Sequence, residues 1–377
     1  MKNKIESGET VKGSQIHDLS NKKRIVSLDI ARTFAIISVV FCHAIELIYN
    51  MNLKGWADLS IKSKIFRTIG FTVGRLGVPI FLFLTGYLLL NRQYDNDEEV
   101  KKFYKNNLIP LILVTEIWVI IYNVFISIYN NQSFDIYVLI KEMLFIEKVP
   151  LINMWYMPMI IGIYIAIPYV SKIVHTFNLK TLKFPIIIVF ILTFILPTVN
   201  IMLKTFKLEQ YGNVLDISFL GGIYGIYIIS GYLIFNGVIK KIKTIWIILM
   251  SIMFFIFSCI IQIFEYNYNI EYNIWYNSPL LYLCTFNLFE LFTRINTETM
   301  KFKIKKIFTH ISKMSLAIYF IHIIVEMILS KYIKEIKIFN PGKVLILFGI
   351  SFIVSIFILW MLSKIKVIKT KILLIKN

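Results

Sequence analysis

Residues 24–46 read RIVSLDIARTFAIISVVFCHAIE and begin the hydrophobic part of the chain. The segment is apolar enough to cross a lipid bilayer, yet it contains Asp29, Arg32, His43 and Glu46. An ionisable side chain at such depth costs roughly 3 kcal/mol on insertion scales. Four of them are retained in one helix only if other groups or a ligand compensate for this cost.

Helical geometry places two of these side chains on one face. Arg32 and His43 are separated by about three helical turns, so they point to nearly the same side, roughly 16 Å apart along the axis. Asp29 lies one turn before Arg32, and Glu46 lies one turn after His43, so each has a neighbour within reach. The pattern predicts a site with a cation near one membrane face, an imidazole near the other, and openings to both sides.

Composition identifies the class of protein. The hydrophobic fraction is 57% and the mean hydropathy is +0.71, which indicates a polytopic membrane protein. The formal net charge of +19 comes from Lys and Arg residues spread over short loops. Because no single basic face with interleaved aromatic residues is formed, nucleic-acid binding is excluded as the function.

The cysteines and the N-terminus carry no further signal. Cys42, Cys259 and Cys284 lie in apolar segments without paired spacing, which predicts neither a disulfide framework nor a metal site. The polar N-terminal residues and the long apolar segment after them do not form a signal peptide.

Apolar runs of about 20 residues predict an all-α polytopic membrane protein with about ten transmembrane helices. The predicted spans are 25–48, 70–90, 107–128, 153–171, 184–203, 215–236, 244–264, 278–293, 311–330 and 343–363. With the N-terminus inside, the cytoplasmic segments hold about twice as many Lys and Arg residues as the outer loops, so both termini are predicted to be cytoplasmic. The predicted organisation is a polar tail (1–24), a membrane domain (25–366) and a basic tail (367–377).

Two further features lie beside the spans. Residues 133–149 have an apolar helical face interrupted by charges, which predicts an amphipathic helix on the outer surface. The sequences FLTGY at 83–87 and IISGY at 228–232 resemble each other. Either an internal repeat or close packing of helices through small residues explains the resemblance.

Depth along the predicted spans brings several polar side chains to one level. His43 is about 27 Å and Glu326 about 21 Å from the inner ends of their spans, and Arg75 is within about 9 Å of the outer boundary. His322 lies one turn deeper than Glu326. This predicts an outward-biased pocket in which Glu326 or Glu46 orients His43 and a cation stabilises negative charge. The imidazole would accept a proton from a hydroxyl or carry an acyl group, unless it merely makes a helix-packing hydrogen bond.

The remaining ionisable groups leave alternatives open. Arg32 would receive an anionic ligand such as a phosphate from the cytoplasm, or form an ion pair with Asp29. Glu116 and Glu290 have no partner that spacing can assign, and either can be a packing residue.

The spacing of Arg32 and His43 within LDIAR and VVFCHA resembles the first helix of the acyltransferase family 3 integral membrane proteins, which O-acylate cell-surface sugars and related acceptors. Four more segments resemble that family, in the same order along the chain. They are GVPIFLFLTGY at 77–87, MWYMPMIIGIY at 154–164 with Pro168 following, ISGY at 229–232 and SLAIYFIH at 315–322.

The resemblance implies a ten-helix fold, acetyl-CoA or another acyl-CoA as the cytoplasmic donor, and an acceptor at the outer side of the membrane. His43 matches the essential histidine of the family and Arg32 its partner arginine. Arg75, with Arg67 as a second candidate, corresponds to the arginines at the start of the second helix. Glu326 is the carboxylate expected to serve His43, with Glu46 as the alternative, and no metal is implied.

The chain ends in a basic tail after the last span, so no fused extracytoplasmic domain is expected to carry the acyl group onward. The acceptor is therefore expected to be a lipid-linked sugar or an envelope exopolysaccharide, or a separate envelope-biosynthesis protein receives the group. The expected location is the bacterial plasma membrane. An exporter or flippase of envelope polysaccharide is the main alternative, ahead of a secondary transporter and of a structural or sensory protein.

Overall fold

The computed structural model describes residues 24–212 and 221–375, and within these ranges every regular element is a helix. Among the described residues, three short π-helical segments continue or follow the α-helices at Tyr104–Leu108, Ile191–Ile195 and Ile368–Ile372. The α-helices are α1 (Val26–Ile48), α2 (Leu53–Ala57), α3 (Ile61–Arg75), α4 (Gly77–Leu89), α5 (Asp97–Phe103), α6 (Ile109–Asn130), α7 (Ile136–Met143), α8 (Tyr156–Thr176), α9 (Leu179–Phe190), α10 (Leu196–Thr205), α11 (Gly222–Phe235), α12 (Thr244–Asn267), α13 (Pro279–Thr293), α14 (Phe302–Glu335) and α15 (Asn340–Leu362).

The predicted all-α polytopic class is confirmed. Among the described residues, eight helical segments are long and apolar enough to cross a membrane. Two shorter apolar helices, Gly222–Phe235 and Pro279–Thr293, fall where the sixth and eighth spans are predicted. Each of the ten predicted spans therefore overlaps one apolar helix. The start of the sixth span (215–220) and residues 1–23 of the predicted N-terminal tail lie outside the described residues.

Polar side chains at the loop ends determine where several helices begin. Asn52, Ser60, Asn96, Asp135 and Ser278 each accept a hydrogen bond from a backbone amide in the first turn of the helix that follows. These amides have no partner within the helix, so a side-chain oxygen at the N-cap satisfies them. The caps fix the loop-to-helix boundaries that hydropathy alone leaves undefined.

Helix α1 is the centre of the bundle. It packs against α3, α4, α14 and α15, and Ala31, Ala35, Ile36, Val40 and Ala44 are fully buried along it. The small alanines let neighbouring helices approach closely, which is how helices associate in lipid. The charged side chains of α1 therefore face protein on nearly every side.

Helices α4 and α11 cross through facing glycines. A Cβ at Gly86 would overlap the carbonyl oxygen of Ile228, and one at Gly231 would overlap the carbonyl oxygen of Phe83. The two similar sequences FLTGY and IISGY therefore pack directly on each other. Helix packing through small residues accounts for their likeness, without requiring an internal repeat.

Two peripheral segments pack onto the bundle. Helix α7 falls within the predicted amphipathic segment, and its Glu142 accepts a hydrogen bond of 2.6 Å from Asn123 of α6. The described part of the predicted basic tail also packs against α6, where Trp118 donates to the Ile372 carbonyl at 3.2 Å and Leu373 is buried. Residues 376–377 lie outside the described residues.

Candidate functional site

His43, Glu46 and Arg75 form a hydrogen-bonded chain inside the bundle. Nδ1 of His43 lies 2.7 Å from Oε2 of Glu46, and Nη2 of Arg75 donates to Oε1 of Glu46 at 2.8 Å. Because a carboxylate only accepts hydrogen bonds, we assign the hydrogen of the neutral imidazole to Nδ1. Nε2 then keeps its lone pair and is the ring nitrogen free for chemistry.

Arg75 is fixed by an aromatic enclosure as well as by Glu46. Its guanidinium lies 4.5 Å from the ring centroid of Phe71 and 4.3 Å from that of Trp275, and it donates to the Tyr276 hydroxyl at 3.3 Å. Stacking on ring faces stabilises a cation that is largely removed from water. Arg75 is only 6% exposed, so its charge is available to Glu46 and is little screened by solvent.

The helix that carries Arg75 is longer than the predicted span. Helix α3 begins at Ile61, with Ser60 as its cap, and not at residue 70. Arg75 therefore lies about 21 Å along the helix, and not within about 9 Å of its outer start. The first turns of α3 carry Lys62 and Lys64, so a search for apolar runs passes over them.

The alternative of an ion pair between Arg32 and Asp29 is also wrong. The Asp29 carboxylate is taken by Arg24 at 2.6 and 2.7 Å, and it accepts from the hydroxyls of Ser312 at 2.7 Å and Thr309 at 3.0 Å. Arg32 reaches only the Ser312 hydroxyl, at 3.5 Å. Among the described residues no carboxylate forms an ion pair with Arg32, so its charge is left for a ligand.

Arg32 lines a cavity of about 330 Å³ between α1, α4, α8 and α14. Arg92 lines the same cavity, together with Tyr156, Tyr164 and Ser315. None of the described lining residues is acidic, and Arg92 forms no ion pair with a described carboxylate. Two guanidiniums that form no ion pair within one cavity favour an anionic ligand.

A second cavity, of about 460 Å³, lies at the other end of α1 and is lined by Glu46, Tyr49, Asn50 and Lys334. His43 is 6% exposed and is not a lining residue of either cavity. The first cavity ends at Val39, one turn before His43, and the second begins at Glu46, one turn after it. The imidazole therefore separates two cavities, whereas the sequence predicted a single hollow that both side chains face.

The comparison with known families identifies the chain. A model of the acyltransferase domain of this family matches residues 25–360, which include every residue of the site described above except Arg24. The chain belongs to acyltransferase family 3. No curated protein and no solved structure matches the chain. The suspected resemblance is thereby confirmed, and the protein is a membrane acyltransferase.

In this acyltransferase the carboxylate bonded to His43 is Glu46, and not Glu326 as the sequence favoured. Glu326 is fully buried, and both of its carboxyl oxygens lack a hydrogen-bond partner among the described residues. The estimate of depth failed because α14 begins at Phe302, well before the predicted span start at residue 311. The residue of α14 at the level of His43 is His322, whose ring stacks on it with centroids 5.4 Å apart.

Of the other ionisable groups, Arg67 and Glu290 have hydrogen-bond partners and Glu116 has none among the described residues. Arg67 donates to the Tyr266 hydroxyl at 2.8 Å and to Asn273 at 3.3 Å, away from His43. Glu290 is paired with Arg294 at 2.7 Å, which gives it the partner that spacing did not assign. Glu116 has no hydrogen-bond partner among the described residues.

The structure also shows the state of the cysteines and the placement of possible metal ligands within the described residues. Cys42, Cys259 and Cys284 are buried free thiols. No group of three or more His, Cys, Asp or Glu side chains among the described residues is placed to hold a metal ion.

Sequence reasoning missed the part that four residues play in the site. Arg92 lies five residues after the FLTGY segment, and nothing in the sequence marks it as a cavity residue. Trp275 and Tyr276 follow α12 in a loop whose packing on Arg75 has no signal in the sequence. The stacking of His322 on His43 depends on the register of two helices that are far apart in the chain, and the sequence placed His322 one turn away from that level.

Proposed function

We propose that this acyltransferase moves an acyl group, expected to be acetyl, from cytoplasmic acyl-CoA to a hydroxyl of a cell-envelope saccharide or lipid-linked sugar at the outer side. The observation that carries this proposal is the placement of His43, with a lone pair on Nε2, between two cavities on opposite sides of it. One cavity is lined by two guanidiniums, and the other is lined by a carboxylate, an amide, a phenol and an ammonium group.

The Arg32 cavity suits the reactive end of an acyl-CoA. Its volume of about 330 Å³ is at the small end of ligand sites, so the nucleotide would remain outside while the pantetheine arm enters. Arg32 and Arg92 would neutralise phosphate or polarise carbonyl oxygens, and Tyr156 and Tyr164 supply hydroxyls. The loops on this side carry the Lys and Arg excess that predicts the cytoplasmic face.

Glu46 and Arg75 make His43 competent for acyl transfer. When Nε2 takes a proton or an acyl group, the ring becomes positively charged, and the carboxylate at 2.7 Å stabilises that charge. Arg75 keeps Glu46 ionised and fixes its orientation through its own contact at 2.8 Å. Holding the imidazole in one orientation raises the rate beyond what its basicity provides, because the reacting atoms must be aligned.

The Glu46 cavity would receive the acceptor. Lys334, Asn50 and Tyr49 offer donors to sugar hydroxyls or to a phosphate, and the opening lies at the end of α1 that is predicted to be outside. An acceptor attached to a lipid would reach this opening from the membrane. A separate envelope-biosynthesis protein could receive the product from the same side.

The test uses purified protein in lipid vesicles with radiolabelled acetyl-CoA and, as acceptors, free N-acetylhexosamines and polyprenyl-linked sugars. The wild type is expected to transfer label to a saccharide, and His43→Ala is expected to transfer none. His175→Ala is the matched control, because His175 lies at the end of α8 outside both cavities. Movement of sugars across the vesicle membrane without acylation would favour the exporter reading.

A further inference from the structure

His322 is a second imidazole beside the reacting one. Its ring is fully buried and stacks on His43 with centroids 5.4 Å apart and planes inclined by 28°. Nδ1 of His322 lies 2.9 Å from the carbonyl oxygen of Ile318. A carbonyl only accepts, so Nδ1 carries the hydrogen of the neutral ring and Nε2 keeps its lone pair.

No residue in the described part of the chain donates to that lone pair. Nε2 of His322 is buried and has no hydrogen-bond partner among the described residues. The nearby Tyr319 hydroxyl donates to the carbonyl oxygen of Asn153. Buried polar atoms are nearly always satisfied, so an unpaired acceptor beside a reaction centre indicates a group that receives its donor from a substrate.

His43 cannot act as acyl carrier and as base at the same time, and a second imidazole would supply the base. Its Nδ1 is held by Glu46, so Nε2 is the only nitrogen it can use. If the acyl group is attached to Nε2, no lone pair remains to accept the proton of an attacking hydroxyl. A two-step transfer therefore needs another base close to His43, and Glu46 is already engaged by two hydrogen bonds.

We propose, resting on the proposed function, that His43 carries the acyl group on Nε2 and that His322 is the base of the second step. In the first step the Nε2–C bond forms, the C–S bond of the donor breaks, and coenzyme A leaves as a thiolate. In the second step the acceptor hydroxyl gives its proton to Nε2 of His322 while its oxygen bonds to the acyl carbon and the C–N bond to His43 breaks. The proton then passes to the thiolate or to water, and the products are the ester and coenzyme A.

The two half-reactions of the proposed mechanism can be measured separately. Reversible formation of an acyl-enzyme exchanges label between acetyl-CoA and free coenzyme A without any acceptor, the behaviour expected of a ping-pong enzyme. Transfer is followed with labelled acetyl-CoA and the acceptors named above, and hydrolysis measures transfer to water. His322→Gln and His322→Phe both remove the base, while the first keeps a polar side chain and the second keeps a flat ring.

Each His322 variant is expected to keep the exchange within about threefold of wild type and to lose transfer and hydrolysis by about 100-fold or more, the contribution of a general base. His175→Gln is the matched control, because His175 makes the same hydrogen bond to the carbonyl four residues earlier, at 2.8 Å, and should leave both reactions unchanged. Transfer at the wild-type rate in both variants would overturn the inference. So would loss of exchange and transfer together in a variant that stays monodisperse, or transfer without exchange in the wild type. Wild-type protein that shows neither reaction would refute the proposed function itself.

Discussion

Replacing Glu46 by glutamine changes the chemistry of the site at constant shape. In the wild type one carboxylate oxygen faces Nδ1 of His43 and the other faces Arg75. Arg75 has only donors, so the single oxygen of the glutamine amide is expected to turn toward it and the NH₂ group toward His43. An NH₂ group donates, so Nδ1 has to become the acceptor and the ring hydrogen moves to Nε2. The nitrogen that must attack or accept a proton is then blocked.

The size of the effect follows from the bonds that change. A hydrogen bond to a charged group contributes about 1.5–3 kcal/mol, which is roughly 10- to 150-fold in rate. The analogous Asp→Asn change in a Ser-His-Asp triad, which also fixes the wrong tautomer, lowers kcat by about 10⁴. We therefore expect Glu46→Gln to lower kcat by about 10²–10⁴, with little change in KM for acyl-CoA because Arg32 is untouched.

The assay is the rate of coenzyme A release from acetyl-CoA by protein in vesicles, over a range of donor concentrations. Glu116→Gln is the matched control, since it makes the same substitution at a carboxylate of α6 outside the site. Glu326→Gln is expected to cost less than about tenfold, or 1.4 kcal/mol, because Glu326 has no hydrogen bond to His43. The reasoning is refuted if Glu46→Gln stays within about threefold of wild type, or if Glu326→Gln is at least as damaging.

Three other substitutions test separate parts of the structure. Gly86→Leu is expected to force α4 away from α11 and to lower the midpoint of thermal unfolding in detergent by an amount equivalent to about 1–3 kcal/mol or more, because its side chain would overlap backbone. Gly162→Ala is the control there, and it should raise the midpoint slightly because its Cβ meets open space. Arg32→Gln should raise KM for acyl-CoA by about 10- to 100-fold in steady-state kinetics, and an unchanged KM would remove Arg32 from the donor site. Arg294→Met leaves Glu290 buried without its partner and should cost about 3 kcal/mol in denaturant unfolding. The double variant with Glu290→Met should recover only part of the loss, because Arg294 also donates to the carbonyl oxygens of Ile242 at 2.7 Å and Ile239 at 2.9 Å.

The local pairing in α1 was readable from sequence. Helical periodicity makes residues three apart neighbours, so His43 and Glu46 meet whatever surrounds them. The same periodicity places Arg32 and His43 on one side of the helix. It does not show that Asp29 is taken by Arg24 and Ser312, because that outcome depends on which side chains of α14 reach the same carboxylate.

The hydrogen bond of His43 to Glu46, where the sequence favoured Glu326, shows why contacts between helices could not be read from hydropathy. Apolar runs mark the part of a helix that lies in lipid, and caps such as Ser60 determine where the helix starts. Helices α3 and α14 both begin about two turns before the predicted spans. A shift of one turn is enough to replace His322 by Glu326 as the neighbour of His43.

The sequence by itself determined the membrane class, the helical fold, the Arg32 and His43 face and the family, because insertion cost and helical period act on neighbouring residues. Only the tertiary structure determined which residues and cavities surround the site. The enclosure of Arg75 by Trp275 and Tyr276, the pairing of His43 with His322 and the two cavities on either side of the ring all depend on the register between distant helices. That register is set by the packing of small residues against backbone, and no local pattern records it.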